Sequence, residues 1–259
     1  MEKKKGISGS TLKMIAIVTM LIDHIGAAVL ARLLMVNGLG ELDQTSTDAI
    51  MQWLSANGAL YGTYTVMRMI GRVAFPIFCF LLVEGFLHTH DVKKYAMRLG
   101  LFALLSEIPF DLAFSSKILE FNYQNVFFTL FIGLLTMIAY RAVEEKEEWN
   151  QALKVILYIL IVAAGMALAY FLKTDYAEKG VFCIMVLYIF RKKKMWQLIA
   201  GCASFIWETP ALFGFIPIAF YNGTRGWKMK YFFYIFYPAH LLILYLLCYF
   251  MGISGYSAV

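Results

Sequence analysis

Nine apolar runs follow one another along the chain, most of them separated by short polar connections. They are Leu12–Val36, Tyr64–Leu87, Tyr95–Phe114, Val126–Tyr140, Ala152–Leu172, Val181–Phe190, Met195–Trp207, Ala211–Tyr221 and Tyr231–Met251. A helix needs about 20 apolar residues to cross a hydrocarbon core ~30 Å thick, and several of these runs reach that length. A water-soluble fold could not hide so much: 61% of the residues are hydrophobic and 15% charged, against about 25% charged in ordinary soluble domains. That balance excludes a soluble enzyme, a nucleic-acid-binding domain and a disordered chain. The runs are continuous and do not alternate, which excludes an outer-membrane barrel. The expectation is an all-α polytopic membrane protein of one domain over residues 1–259, with about eight or nine transmembrane helical segments. There is no internal repeat and no low-complexity tract.

Lys3-Lys4-Lys5 precede the first run, but Leu12–Val36 is longer than the ~7–15 apolar residues of a signal peptide, and Asp23-His24 interrupt it. It reads as a retained first helix. Basic residues collect on the cytoplasmic side of membrane helices. By that rule Lys3, Lys4, Lys5 and Lys13 place the N-terminus inside, and loop 37–60, with no Lys or Arg, lies outside. Lys93-Lys94, 141–148, Arg191 to Lys194, and Arg225, Lys228 and Lys230 lie inside. Lys117, Lys173 to Lys179 and the tail lie outside. The net charge of +6 thus reads as orientation in a bacterial inner membrane, with no nucleic-acid partner. In the outer loop, Ser46-Thr47-Asp48 predict the start of a short helix over 49–55, and Asn57-Gly58 predict its end.

Residues 195–221 break the alternation, because both of their ends want the cytoplasm. Twenty-seven residues of helix extend ~40 Å, whereas two crossings need about 60 Å. The expectation is a re-entrant helical hairpin with its tip at Glu208-Thr209-Pro210; two short tilted crossings are the other reading.

Ionisable residues inside such runs cost several kcal/mol and mark sites or partners. At ~1.5 Å per residue, Asp23, His24 and His240 fall near mid-membrane. Arg68 and Arg72 are spaced i, i+4, as are Glu107 and Asp111 on the next run. Matched depths predict a ladder of ion pairs, Arg68–Asp111, Arg72–Glu107 and Glu84–Arg98, with Arg72 and Glu107 also near enough to the Asp23-His24 level to line a shared cavity. His88-Thr89-His90 diverge on a helix and give no metal pattern. Cys79, Cys183, Cys202 and Cys248 lie within apolar runs without C-x-x-C spacing and read as packing residues. No metal is expected.

The sequence resembles the TraX family, the family of the F-pilin acetylase. The resemblance is carried by LKMIAIVTMLIDHIG (12–26), GRVAFPIFCFLLVEGFLHTHDVKKYAMRLGLFALLSEIPFDLAF (71–114), NVFFTL (125–130), YNGTRG (221–226) and KYFFYIFYPAHLLIL (230–244). It covers essentially the whole chain, with little in 141–180. It implies a membrane-embedded acetyltransferase that takes its acetyl group from cytoplasmic acetyl-CoA, the donor substrate. The acceptor is then a peptide amine such as a pilin N-terminus, a glycan, or a small hydroxyl compound.

Acyl transfer needs a base, a cation or dipole for the oxyanion, and a binding site for the thioester. His24 is the candidate base or acylated nucleophile. Asp23 or Glu107 would orient or charge-balance it, Arg72 would stabilise the oxyanion, and His240 would shape the cavity. The phosphates of coenzyme A would call on Arg98, Arg225, Lys93, Lys94 and Lys228; for Lys93, Lys94 and Lys228, membrane orientation alone is the simpler reading. The same buried charges would serve a proton-coupled transporter, although no repeat supports that alternative.

Overall fold

A computed structural model describes residues 5–227 and 230–257, with the side chains of 230 and 231 outside the described set; Lys228 lies outside it too. Among the described residues all regular elements are helices, and no strand forms. Five segments are long and apolar enough to cross a membrane: Gly9–Val36, Thr47–His88, Val126–Glu144, Gln151–Phe171 and Phe232–Phe250. The clearest sign of a lipid environment is α7 (Gln151–Phe171), the most apolar of them, which buries only Gly165 and Ala169. Ile156, Ile159, Leu160 and Leu168 point away from the protein. An apolar helix with no protein on most of its surface is stable only where the surroundings are apolar as well.

The first run folds as α1 (Gly9–Ile25), one π-helical turn (Gly26–Leu30) and α2 (Ala31–Val36). The turn follows directly on Asp23-His24, and π-turns recur where a helix re-aims functional side chains. The first backbone donors of α1 are all accounted for. Gly9 N–H donates to Thr224 O and Ser10 N–H to Arg225 O, while Thr11 N–H donates to Ser8 Oγ. Residues 221–226 therefore cap α1 with their main chain, and Gly226, at φ +70°, makes room for Ser8 and Ser10.

Antiparallel to α1 run α3 (Thr47–Gly71) and α4 (Ala74–His88). Ser46 caps α3 as its sequence predicts, accepting from Ala49 N–H at 3.3 Å. The helix then continues through Asn57-Gly58, so the predicted stop there is corrected. Gly58 costs a helix only about 1 kcal/mol, and Asn57 donates to Trp53 O within the helix. The real break is at Arg72-Val73, and Pro76 explains it. A proline has no N–H for the carbonyl four residues back and its ring crowds that carbonyl, which here belongs to Arg72. Gly71 lets α3 touch α1; a Cβ there would sit 2.0 Å from Asp23 Cβ.

Next come α5 (Val92–Ser115), α6 (Val126–Glu144), α7 and α8 (Ala177–Ile189). Asp91 caps α5, and the Lys94 main-chain and side-chain donors hold its carboxyl below the ordinary carboxylate range. The short α8 is well enclosed, with Val181, Cys183, Ile184, Leu187 and Tyr188 buried against α4, α6, α7 and α9 (Lys194–Ser204). A 3₁₀ stretch (Thr209–Gly214) and α10 (Phe215–Ala219) follow, then α11 (Lys230–Phe250). The ends of the 195–221 stretch meet, since Lys194 Nζ donates to Tyr221 O at 2.8 Å, and Gly201 admits Phe215 between α9 and α10. The four cysteines are free thiols.

The predicted ladder does not form. Arg68 pairs with Asp23 at 2.8 Å and Arg72 with Glu208 at 3.5 Å. Glu84 faces His88 and the Tyr221 hydroxyl, and Arg98 faces the Tyr234 hydroxyl. The reason is lateral. Equal depth brings groups together only on neighbouring helices, and α3 packs on α1, whereas α5 packs on α11 and α6.

Candidate functional site

A cavity of about 100 Å³ opens where the α3–α4 break, the π-turn of the first run and the α7–α8 turn converge. Its polar lining includes Asp23, His24, Arg68, Arg72, Tyr123, Asp175 and Tyr176, with Tyr64 beside them. Pockets for drug-sized ligands run ~300–1,000 Å³, so this one suits the reacting end of a molecule and not the whole of a cofactor.

His24 stands in the wall of the cavity. Its Nδ1 is 2.7 Å from Nε2 of His240, whose Nδ1 is 2.7 Å from Phe236 O. Phe114 and Tyr237 meet the His24 ring edge-on at centroid distances of 5.4 and 6.0 Å. Beside it, Asp23 holds Arg68 through Oδ2, while Oδ1 is buried with no hydrogen-bond partner. Arg72, freed from regular helix by Pro76, reaches Glu208 on one side and the Tyr176 hydroxyl on the other. Two guanidiniums are thus fixed within an apolar bundle, each with a carboxylate close by.

Asp175 and Tyr176 come from the α7–α8 turn. Tyr123 donates to Asp175 Oδ1 at 2.7 Å, and Tyr176 stacks on Phe75 with centroids 3.6 Å apart. Lys173, Tyr176 and Ala177 all have positive φ, a conformation non-glycine residues adopt only where the surroundings enforce it. Here Gln124 N–H donates to Lys173 O and Asp175 N–H to Gln124 O, while Thr129 bonds Asp175 O.

Glu107 does not line this cavity. With Asp111 it holds the segment that carries Tyr123. Glu107 accepts from the Asn125 side chain and main chain, and Asp111 accepts from Glu120 N–H at 2.8 Å. The i, i+4 acids therefore act on a loop and not on Arg72 and Arg68. Of the predicted catalytic set, Asp23, His24 and Arg72 come together, with His240 directly behind His24. Tyr123, Asp175 and Tyr176 were not foreseen. Their one signal was an acid and a phenol between two apolar runs, in a stretch whose flanking lysines read as an exposed loop.

The predicted donor-binding bases lie elsewhere. Arg98 is on α5 with its Nε buried and unpartnered, and Lys94 pairs with Asp91 at the start of that helix, next to Lys93. Arg225 is in the segment that caps α1, with Lys13 near its charge. His88 donates a ring N–H to Glu84 O, and no group of three His, Cys, Asp or Glu side chains suited to a metal ion occurs among the described residues.

Fold and cavity together define a polytopic membrane protein with a small, charged, histidine-containing site inside its helical bundle. The chain belongs to the TraX family, whose profile, described as TraX protein, matches residues 8–248. It is also similar to the probable fimbrial assembly protein FimC, serogroup H1, of Dichelobacter nodosus, with 28% identity over 212 residues covering 70% of this chain and 82% of that protein. No solved structure matches it.

Proposed function

We propose that this protein is a membrane-embedded acetyltransferase that moves the acetyl group of cytoplasmic acetyl-CoA to an amine or hydroxyl acceptor at or across a bacterial inner membrane. The observation that carries this reading is His24, in the wall of a small cavity that also holds two guanidiniums. Acyl transfer requires a base and a fixed positive charge for the oxyanion in one water-poor space. His24 is the base. Arg72 stabilises the oxyanion, and Asp23 fixes Arg68 and balances its charge. Glu107 acts at a distance by holding the Tyr123 loop. The cavity takes the acetyl group and the acceptor atom, and the nucleotide of coenzyme A stays outside it. The fimbrial assembly role named for the relative favours a pilin-like N-terminal amine among the acceptors; glycans and small hydroxyl compounds are the others.

In the same reading the chain makes eight or nine helical passages, with the N-terminus cytoplasmic. Residues 195–221 form a re-entrant hairpin whose tip, Glu208, meets Arg72 at the level of the cavity. A cysteine introduced at Gln44 is expected to react with an impermeant maleimide in intact cells, and one at Lys193 only after permeabilisation. The reverse pattern inverts the orientation.

The enzyme reading is tested with purified protein in detergent. Acetyl-CoA is expected to stabilise it thermally, and free CoA is expected to appear slowly. Binding of a small solute with no effect of acetyl-CoA would favour a proton-coupled transporter. If Arg98 and Arg225 bind the nucleotide phosphates, with Lys93, Lys94 and Lys228 adding only surface charge, Arg98→Ala and Arg225→Ala will each weaken acetyl-CoA. The expected loss is ~10- to 100-fold, from ~1.5–3 kcal/mol per charge-assisted contact. A phosphate-free acetyl thioester is expected to be hardly affected. Equal losses for both donors would assign the two arginine side chains to structure.

A further inference from the structure

His24 Nδ1 and His240 Nε2 lie 2.7 Å apart, so one hydrogen sits between them. Which ring supplies it is decided one bond further on. His240 Nδ1 is 2.7 Å from the main-chain oxygen of Phe236, and a carbonyl oxygen only accepts. His240 Nδ1 therefore carries a hydrogen. A neutral imidazole has one N–H, so His240 Nε2 bears a lone pair and accepts from His24 Nδ1–H. By the same count, the lone pair of His24 is on Nε2, which makes no hydrogen bond to any described residue. Charging His24 would set a cation near Arg68 and Arg72, and charging His240 would leave one buried behind His24 in an apolar bundle, each costly without a new counter-charge.

The two rings are parallel to within 3°, with centroids 5.0 Å apart. Face-to-face rings keep their atoms ~3.5–4.0 Å apart, so a 2.7 Å N···N separation means the rings meet edge to edge in one plane, the arrangement that points an N–H at a lone pair. The Phe236–His240 bond spans i, i+4 on α11, so it is internal to one helix and fixes His240 before His24 packs against it.

We infer that His240 is a positioning residue that holds His24 in its Nδ1–H tautomer, leaving Nε2 of His24 as the single proton-transfer atom of the reaction proposed above, on which this role rests. The acceptor N–H or O–H gives its proton to Nε2 as its heteroatom bonds to the acetyl carbon. The C–S bond then breaks, and Nε2 returns the proton to the CoA sulfur. Thioester and acceptor become acetylated acceptor and thiol, with nothing left over. The proton has no other exit through these rings, because the chain of hydrogen bonds ends on Phe236 O. Donor sulfur and acceptor atom must therefore meet on one edge of His24. A covalent route through this histidine would acetylate Nε2 and not Nδ1.

The direction of the bond is read by ¹⁵N NMR of histidine-labelled protein in micelles, with His24→Ala and His240→Ala assigning the signals. An Nδ1-protonated His24 is expected; an Nε2–H His24 overturns the inference. The role is read by acetyl-CoA turnover in His240→Gln, His240→Leu and His240→Lys, each checked for a wild-type melting profile. Gln still offers an acceptor to His24 Nδ1–H, Leu offers nothing and Lys only donates. Gln is expected within about tenfold of wild type. Leu and Lys are expected to lower kcat roughly 10²–10³-fold with the donor KM almost unchanged. Equal losses for Gln and Leu would sink the positioning role while leaving His24 as the base. An Nδ1–H His24 in a wild-type protein that never turns over acetyl-CoA would remove the reaction itself, and this role with it.

Discussion

His24→Ala is expected to lower acetyl transfer by roughly 10²–10⁴-fold, the usual contribution of a positioned general base, while leaving acetyl-CoA affinity within about threefold, since the base acts on the transition state and not on the ground-state donor. The split between kcat and affinity is the informative part. His24 touches the cavity through a single ring packed among Phe114, Tyr237 and His240, and the cavity is too small for the nucleotide, so little donor binding energy depends on it. Truncation leaves His240 bonded to Phe236 O, and α1 and α11 keep their other contacts, so the fold should persist. His240→Ala is expected to lower transfer less, because His24 keeps Nε2 and loses only the group that fixes its tautomer. Rapid-quench measurement of acetylated product, beside equilibrium binding of acetyl-CoA, checks both variants. If His240→Ala is the dead enzyme and His24→Ala turns over, the two roles are exchanged. Normal turnover in both ends histidine base catalysis for this protein.

The chemistry of the cavity was more legible in the sequence than its geometry. Asp23, His24, Arg72 and His240 stand out because an ionisable group inside an apolar run has few reasons to be there, and depth along a helix follows from counting residues. Counting says nothing about which helices are neighbours. Arg68 and Asp111 match in depth, yet α3 faces α1, and Arg68 takes Asp23 instead. The same gap hid the work of Glu107 and Asp111, whose partners Asn125 and Glu120 lie in a connection that folds back against α5. Asp175 was passed over because lysines flank it; Lys173 reaches out to Asn122, while Asp175 and Tyr176 between them line the cavity. The break at Arg72-Val73 was legible in principle, because Pro76 places it four residues back, but an unbroken apolar run outweighed it. Arg32 is the plainest omission. It lies deep in the first run, and the acid and histidine nearby drew all the attention.

Arg32→Met is expected to be the most destabilising single change among the buried charges. Its guanidinium is fully buried and no carboxylate meets it among the described residues. It donates instead to main-chain oxygens of Ala28, Ala113, Leu112 and Tyr256 at 2.8, 2.5, 3.4 and 2.8 Å, and to Ser116 Oγ at 2.9 Å. Leu112 and Ala113 belong to the last turn of α5, whose carbonyls have no helical partners and carry the negative end of the helix dipole. Ser116, in the left-handed conformation that ends the helix, passes its own hydrogen to Ser254 O. One cation thus joins the first run, the end of α5 and residues 254–257. Replacing a buried ion pair by apolar residues is often neutral, because both desolvated partners leave together. Here the acceptors stay behind. Two or three stranded carbonyls at ~1–3 kcal/mol each suggest a loss on the order of 3–6 kcal/mol, or about 6–20 °C in Tm for a chain of this size. Arg32→Lys should recover part of it, since an ammonium supplies charge and up to three donors but not the planar fork. Thermal unfolding in detergent checks the ranking, and limited proteolysis of the C-terminal tail checks the cause. Arg32→Met melting with wild type, its tail still protected, would mean that α5 ends as well on its own as it does on Arg32.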